Sequence, residues 1–251
     1  MDKNWMNNKT VIITGASGGM GKGVAERLIK EHGCTVIGIA RSEEKMKKVV
    51  EELGDYADKF SYQLFDVAVE KNWLDFVDYL NENNIKPDIL INNAGILPKF
   101  DRFQNYTVEY IEKAMNINFY SAVYSIHALL PLLLESPAPA IINVDSSAAL
   151  MTLAGTSMYS ASKAALIGFT KALAKELGPS NITVNCICPG VIATDMNSVH
   201  SEETIAQLRE ETLLMRIGKP EDVANLAFFI SGEEASFITG QVISVDGGFA
   251  L

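Results

Sequence analysis

Tyr159 and Lys163 stand four residues apart in Tyr159-Ser160-Ala161-Ser162-Lys163, and Ser146 precedes the tyrosine by thirteen residues. Side chains at i and i+4 of a helix project from one face. An ammonium held beside a phenol favours loss of the phenolic proton. A free tyrosine titrates near ~10 and is a poor acid or base at neutral pH until something does this. A serine hydroxyl at a preceding strand end could hold a carbonyl oxygen. The three groups together suit proton transfer to or from the oxygen of an alcohol or ketone. Alone, the Tyr/Lys spacing fits an amphipathic helix with a surface lysine equally well, so the rest of the chain has to decide.

A second motif, Thr14-Gly15-Ala16-Ser17-Gly18-Gly19-Met20-Gly21, follows the apolar run Val11-Ile12-Ile13. A helical pattern (Val24, Ala25, Leu28, Ile29) comes after it. Strand, glycine turn and helix form the context of a dinucleotide-binding turn. Glycines let the backbone approach a pyrophosphate, and the helix N-terminus offers unpaired N–H groups to it. The spacing is Gly15, Gly19, Gly21 rather than the usual G-x-G-x-x-G.

These motifs need elements to hold them. Apolar runs predict strands at Val11–Thr14, Thr35–Ala40, Ser61–Phe65, Ile89–Asn92, Ala140–Val144, Thr183–Cys188 and Val242–Val245. Helical stretches are expected near Lys22–Lys30, Glu43–Leu53, Glu70–Asn81, Val108–Leu134, Ser157–Leu177 and Pro220–Ile230. The alternation predicts an α/β protein: one Rossmann-type, doubly wound parallel sheet of about seven strands with helices on both faces, spanning 1–251 as a single domain. Ligands of such sheets bind beyond the strand C-terminal ends. The glycine motif, Asp66, Asn92-Asn93-Ala94-Gly95, Ser146 and Pro189-Gly190 all fall there.

Composition removes several alternatives. The formal net charge is −10 and no basic cluster is large enough to grip a phosphate backbone, so nucleic-acid binding is not expected. No apolar run reaches membrane-spanning length, and Met1-Asp2-Lys3-Asn4-Trp5 lacks a signal-peptide pattern, so a cytosolic protein is expected. Three cysteines cannot all pair. Cys186 and Cys188 read as small buried hydrophobes, and the ligand spacing for a metal is lacking. His32, His127 and His200 lie outside the motifs. Ser146 sits in no G-x-S-x-G elbow, which counts against a serine hydrolase.

From about Lys9 to Phe249 the chain resembles the short-chain dehydrogenase/reductase family, on the branch of the 3-oxoacyl-acyl-carrier-protein reductases and hydroxysteroid dehydrogenases. The resemblance rests on the glycine turn, Asn92-Asn93-Ala94-Gly95, Asn118 in Asn116-Ile117-Asn118-Phe119, and Ser146. Tyr159 with Lys163, Pro189-Gly190-Val191-Ile192-Ala193-Thr194 and the late Val245-Asp246-Gly247-Gly248 complete it. It implies a nicotinamide-dependent oxidoreductase with Ser146, Tyr159, Lys163 and Asn118 as catalytic residues. Tyr159 would give the proton, Ser146 orient the carbonyl, Lys163 bind the ribose hydroxyls, and Asn118 fix a water. The thirteen-residue spacing selects Ser146 over Ser147, only one of which a strand would turn to the site. Asp145, where the family often has serine or glycine, either brings a carboxylate near the site or points it away.

The resemblance also implies where the cofactor lies. Gly15, Ser17, Gly18, Gly19, Met20 and Gly21 would take the pyrophosphate. Asp66 and Val67 would lie by the adenine, although Asp66 could equally cap a helix. Asn93, Ala94, Gly95, Tyr159, Lys163, Pro189, Gly190, Ile192 and Thr194 would flank the nicotinamide half. The second strand ends in Ala40 where an NAD enzyme typically places an acid for the ribose 2′-OH, and Arg41-Ser42 follow. Arginine suits a 2′-phosphate, so NADP(H) is expected in preference to NAD(H).

Residues 194–217 are expected to form a substrate lid, with Met196, Leu208, Leu213, Leu214 and Met215 either lining the site or packing the lid down. Leu150, Met151 and Leu153 lie near the serine. The stretches 132–140 and 177–181, where carrier-protein reductases of the family carry basic docking residues, have no lysine or arginine. The sequence therefore favours a small-molecule substrate, a free apolar ketone or secondary alcohol such as a hydroxysteroid, with a carrier-bound 3-oxoacyl thioester as the alternative. An idle NADP-binding sensor is a further alternative, opposed by the intact catalytic set. The family, and the helix that Tyr120, Ala122, Val123, Ile126, Leu129 and Leu130 make apolar on more than one face, predict a homotetramer or at least a dimer.

Overall fold

A computed structural model describes residues 6–97, 99–194 and 201–251. Seven strands form one parallel sheet: β1 Thr10–Thr14, β2 Thr35–Ala40, β3 Phe60–Leu64, β4 Ile89–Asn92, β5 Ala140–Val144, β6 Thr183–Pro189 and β7 Val242–Val245, in the order β3-β2-β1-β4-β5-β6-β7. Eight α-helices are described among these residues: α1 Gly19–His32, α2 Glu43–Leu53, α3 Glu70–Glu82, α4 Val108–Met115, α5 Ser121–Leu133, α6 Ser157–Leu177, α7 Glu202–Glu211 and α8 Pro220–Ile230.

The central strands are apolar at nearly every position because both faces are covered. Val11 and Ile13 of β1 face the side packed by α1, α2 and α8, while Ile12 faces the side packed by α3, α5 and α6. Gly33 in left-handed conformation ends α1, its N–H returning to Ile29 O and that of Cys34 to Leu28 O. The strand order reverses between β1 and β4, which opens a crevice at their C-terminal ends.

A buried polar chain ties the sheet to two helices. Ser125 of α5 donates to Asn92 Oδ1 (2.7 Å), Asn92 Nδ2 donates to Asn143 Oδ1 (3.0 Å), and Asn143 Nδ2 donates to Thr170 Oγ1 of α6 (2.9 Å).

The long helix expected at Val108–Leu134 differs. It is interrupted at Asn116–Tyr120 by a π turn between α4 and α5. Apolar periodicity runs through such a one-residue insertion almost unbroken, so the pattern conceals it, and π turns concentrate at functional positions.

Candidate active site

The crevice is built first by the glycine turn. Gly15 and Gly19 hold φ of +70° and +54°. A Cβ on Gly21 would strike Gly15 O and Asn93 Nδ2, so only glycine lets α1 pack this closely under the turn. Thr14, the first residue of the motif, clamps the opposite lip: its Oγ1 accepts from Asn93 N and Ala94 N, both at 2.9 Å. Asn93 Nδ2 donates to Thr14 O (2.9 Å), while its Oδ1 is buried without a partner among the described residues. An orphaned acceptor beside a cradle of glycines and open space at Gly18 fits a ligand rich in hydroxyls and phosphates. The residues present therefore fit a nicotinamide dinucleotide.

The proton-transfer group comes from four elements. Lys163 on α6 is 4% exposed, and its Nζ donates to Val144 O at the end of β5 (2.9 Å). Tyr159, one turn earlier on α6, is half-buried and borders the same cavity. Ser146 Oγ accepts from Ala148 N (3.2 Å), which leaves its own proton free to donate outward. Asn118 is buried in the π turn while Asn116 is exposed. Its amide is committed: Oδ1 accepts from Ile96 N (2.8 Å), and Nδ2 donates to Ser162 Oγ (3.1 Å). Asn118 thereby pins the strand-four loop to α6, a link between residues too distant in sequence for spacing to reveal.

One expectation needs correction, and one open alternative is decided. Ser146 and Ser147 both border the cavity, because the chain leaves β5 at Val144 and turns into a 3₁₀ segment at Ser147–Ala149, so strand alternation does not apply. Asp145 points inward. It is buried, its Oδ1 accepts from Ser146 N (2.8 Å), and Cys186 Sγ lies 3.6 Å from its Oδ2. Burial pushes its carboxyl up to about 6, with the Lys163 ammonium pulling the other way. Asp145, Cys186 and Cys188 bring their side-chain heteroatoms within 4.8 Å of one another, and both cysteines are free and fully buried, as expected.

Above this floor is a cavity of about 540 Å³ with a predominantly apolar wall, including Ile96, Leu97, Phe100, Leu153, Leu208 and Phe249. Met20, Asn93, Gly95, Pro189, Gly190, Ile192 and Thr194 border it, as the cofactor assignment requires. Of the lid residues, Leu208 on α7 reaches it, joined by Thr204 and Gln207 of the same helix. Leu213 and Leu214 do not. They line a separate cleft of about 400 Å³ over Gly247 and Gly248. Met196 lies outside the described residues.

At the other end of the crevice, Arg41 is exposed just past β2. Ser42 Oγ accepts from Lys45 N (3.3 Å) as the N-cap of α2, and its O–H proton can still be donated. Lys45 and Lys48 line a polar cleft with Ser17, Gly18 and Gly19. They were missed because two lysines on an acidic amphipathic helix read as solvated surface. Asp66 Oδ1 accepts from Ala68 N (3.0 Å), closing a turn before α3, whose N-cap is Val69. Val67 is buried and its carbonyl takes the Trp73 indole N–H (2.9 Å).

The doubly wound sheet is shared with known proteins of solved structure. The family model described as Enoyl-(Acyl carrier protein) reductase matches residues 15–250. This chain belongs to the short-chain dehydrogenase/reductase family. It is 36% identical over 240 residues to the 3-oxoacyl-acyl-carrier-protein reductase FabG of Chlamydia pneumoniae, covering 96% of each chain. To the enzyme of the same name from Aquifex aeolicus it is 35% identical over 255 residues, covering 97% of this chain and 98% of the other. A 3-oxoacyl-acyl-carrier-protein reductase structure from Brucella melitensis superposes with a TM-score of 0.90 at 30% identity, covering 99% and 93% of the two chains. A short-chain type dehydrogenase/reductase from Mycobacterium ulcerans gives 0.91 at 29%, covering 97% and 90%. The chain is accordingly an oxidoreductase of a family that binds a nicotinamide cofactor and acts on a small-molecule substrate. Among the described residues no helix is long and apolar enough to cross a membrane.

Proposed function

We propose that the protein is an NADPH-dependent reductase of 3-oxoacyl thioesters. The observation that carries this reading is the cavity of about 540 Å³, where Tyr159, Ser146 and Lys163 border the same space as a predominantly apolar wall suited to an acyl group. Relatives matched over their whole length support the thioester, and this moves the reading away from the hydroxysteroid that the sequence favoured. The lack of lysine or arginine at 132–140 and 177–181 remains in favour of a substrate not held by an acidic carrier. Lys86, the cation near the first stretch, is paired with Glu135 at 2.6 Å.

NADPH, when bound, supplies a hydride to the carbonyl carbon. Tyr159 gives its proton to the carbonyl oxygen as charge develops there, and Ser146 donates a hydrogen bond to the same oxygen. Lys163 uses one N–H on Val144 O and keeps two for the ribose hydroxyls. Its fixed charge favours the phenolate left behind. Asn118, whose Oδ1 borders Gly95 alongside Lys163 Nζ, orders the water through which Tyr159 is reprotonated. Leu208, Thr204 and Gln207 close over the substrate as part of a lid at 194–217.

Arg41, Ser42 and Lys45 favour a 2′-phosphate. A panel of 3-oxoacyl-carrier protein, 3-oxoacyl-CoA, a free 3-oxo ester and a 3-ketosteroid, each run with NADPH and NADH, checks substrate and cofactor together. The acyl thioesters are expected to turn over best with NADPH, and Arg41→Ala to shrink the NADPH preference about tenfold or more, the size of one charge-assisted bond. Best turnover of the steroid, or equal use of both cofactors by the wild type, would overturn the respective assignment.

The assembly is proposed to be a homotetramer. Ala161, Ala164 and Gly168 leave an open, small-residue face on α6, and Tyr120 is 41% exposed beside it. An α6–α6 contact across a dyad would cover this face. Light scattering at micromolar concentration is expected to give a multiple of the 27.4 kDa chain, and a monomer would contradict the pairing.

A further inference from the structure

Asp145 has no part in the proton transfer as described above, yet it is the acidic group built most closely into its floor. One oxygen takes the backbone N–H of Ser146, and the other lies by the Cys186 thiol. Its own N–H is fixed to Ile187 O at 2.7 Å. The peptide carbonyl joined to its nitrogen, Val144 O, is the acceptor that tethers Lys163. A single residue thus meets both the serine that orients the carbonyl and the lysine that supplies the positive field.

We infer that Asp145 is a positioning residue of this active site: it anchors Ser146 and acts as the counter-charge of Lys163, and so balances the proton transfer at Tyr159. The inference rests on the acid/base reading of Tyr159 and Lys163. The charged and titratable groups facing the carboxylate are Lys163 from α6, Cys186 and Cys188 from β6, and Tyr159 across the cavity. The Cys188 sulfur beside it, together with burial, holds the Cys186 thiol far above its usual range, so Cys186 stays a neutral S–H donor to Asp145.

The sign follows from Coulomb's law. An anion at Asp145 offsets part of the Lys163 field, so less of that positive field reaches the proton-transfer centre than with a neutral side chain there. Asp145 carries that anion above about pH 6 and loses it below. The wild type is therefore balanced over the neutral range, while a neutral Asp145 leaves Lys163 uncompensated.

The test is the pH profile of kcat/KM for ketone reduction between pH 5 and 10, in the full-length protein with NADPH. In Asp145→Asn, which keeps an acceptor for Ser146 N–H, the high-pH limb is expected to move down by about one pH unit. The inflection near pH 6 should vanish. Cys186→Ala keeps the carboxylate and removes its thiol donor. It should move the lower inflection upward, and the double variant should follow Asp145→Asn alone. A profile that superimposes on the wild type, or one merely lowered at every pH, overturns the inference, as does an unmoved inflection in Cys186→Ala should Asp145→Asn fail to fold. Tyr159→Phe separates the two readings. An active Tyr159→Phe removes the acid/base assignment itself, whereas an inactive one with unmoved Asp145 and Cys186 profiles removes only the role of Asp145.

Discussion

Tyr159→Phe is expected to lower kcat by at least ~10²-fold while leaving NADPH affinity within about a factor of three. The substitution removes one hydroxyl from a half-buried ring that borders the cavity, so packing is little disturbed. Apart from the Tyr159 hydroxyl, the groups read as cofactor contacts are retained: Asn93 Oδ1, the Gly15–Gly21 turn and Lys163, which is tethered independently to Val144 O. Ser146 would still orient the carbonyl, and the geometry of approach would survive, so residual turnover by water-borne protons is anticipated. Stopped-flow hydride transfer and fluorescence titration of NADPH on the same preparation separate the two quantities. More than about a tenth of wild-type kcat would rule out Tyr159 as the proton donor.

Asn143→Ala is expected to be the most damaging single change to stability that touches no ligand. Asn143 is fully buried between β4 and α6, accepting from Asn92 and donating to Thr170. Truncation leaves the Asn92 N–H without an acceptor where water cannot replace it, and opens a cavity as well. Orphaning a buried polar group costs about 1–3 kcal/mol, and the lost volume adds to this, so a loss of about 2–4 kcal/mol is expected. At ~2–4 °C per kcal/mol for a chain of this size, thermal unfolding should begin roughly 5–15 °C earlier. Asn92→Ala should cost a similar amount and the double variant much less than the sum, since both break one chain of bonds. A loss below about 1 kcal/mol in urea would show that the site relaxes around the gap.

Much of this was readable in one dimension because it is local. The strands Thr35–Ala40, Ile89–Asn92 and Ala140–Val144 agree with their apolar runs because burial on both faces favours apolar side chains, and the half-buried edge strand Val242–Val245 agrees as well. The glycine turn declares itself because only glycine tolerates Gly15 and Gly21, and the Tyr159/Lys163 pair because helical spacing is short. What stayed hidden is three-dimensional. The Asp145–Cys186 contact joins β5 to β6 across 41 residues, and Asn118 meets Ile96 across 22. Phe100 and Gln207 reach the cavity through loop and helix placement that no period encodes. Whether Leu213 and Leu214 line the site stayed open because an apolar pair near a site looks the same whether it faces substrate or the cleft over Gly247 and Gly248.

The order β3-β2-β1-β4-β5-β6-β7 also determines when this protein becomes active as it folds. The crevice needs β1 beside β4, Lys163 needs the end of β5, and Asp145 needs β6, so the site depends on contacts between segments distant along the chain. Such non-local pairings form late and together. A nascent or truncated chain ending before Thr183 would carry all four catalytic side chains yet lack the strand that braces Asp145, so catalytic competence should arise in a single step with the last strands.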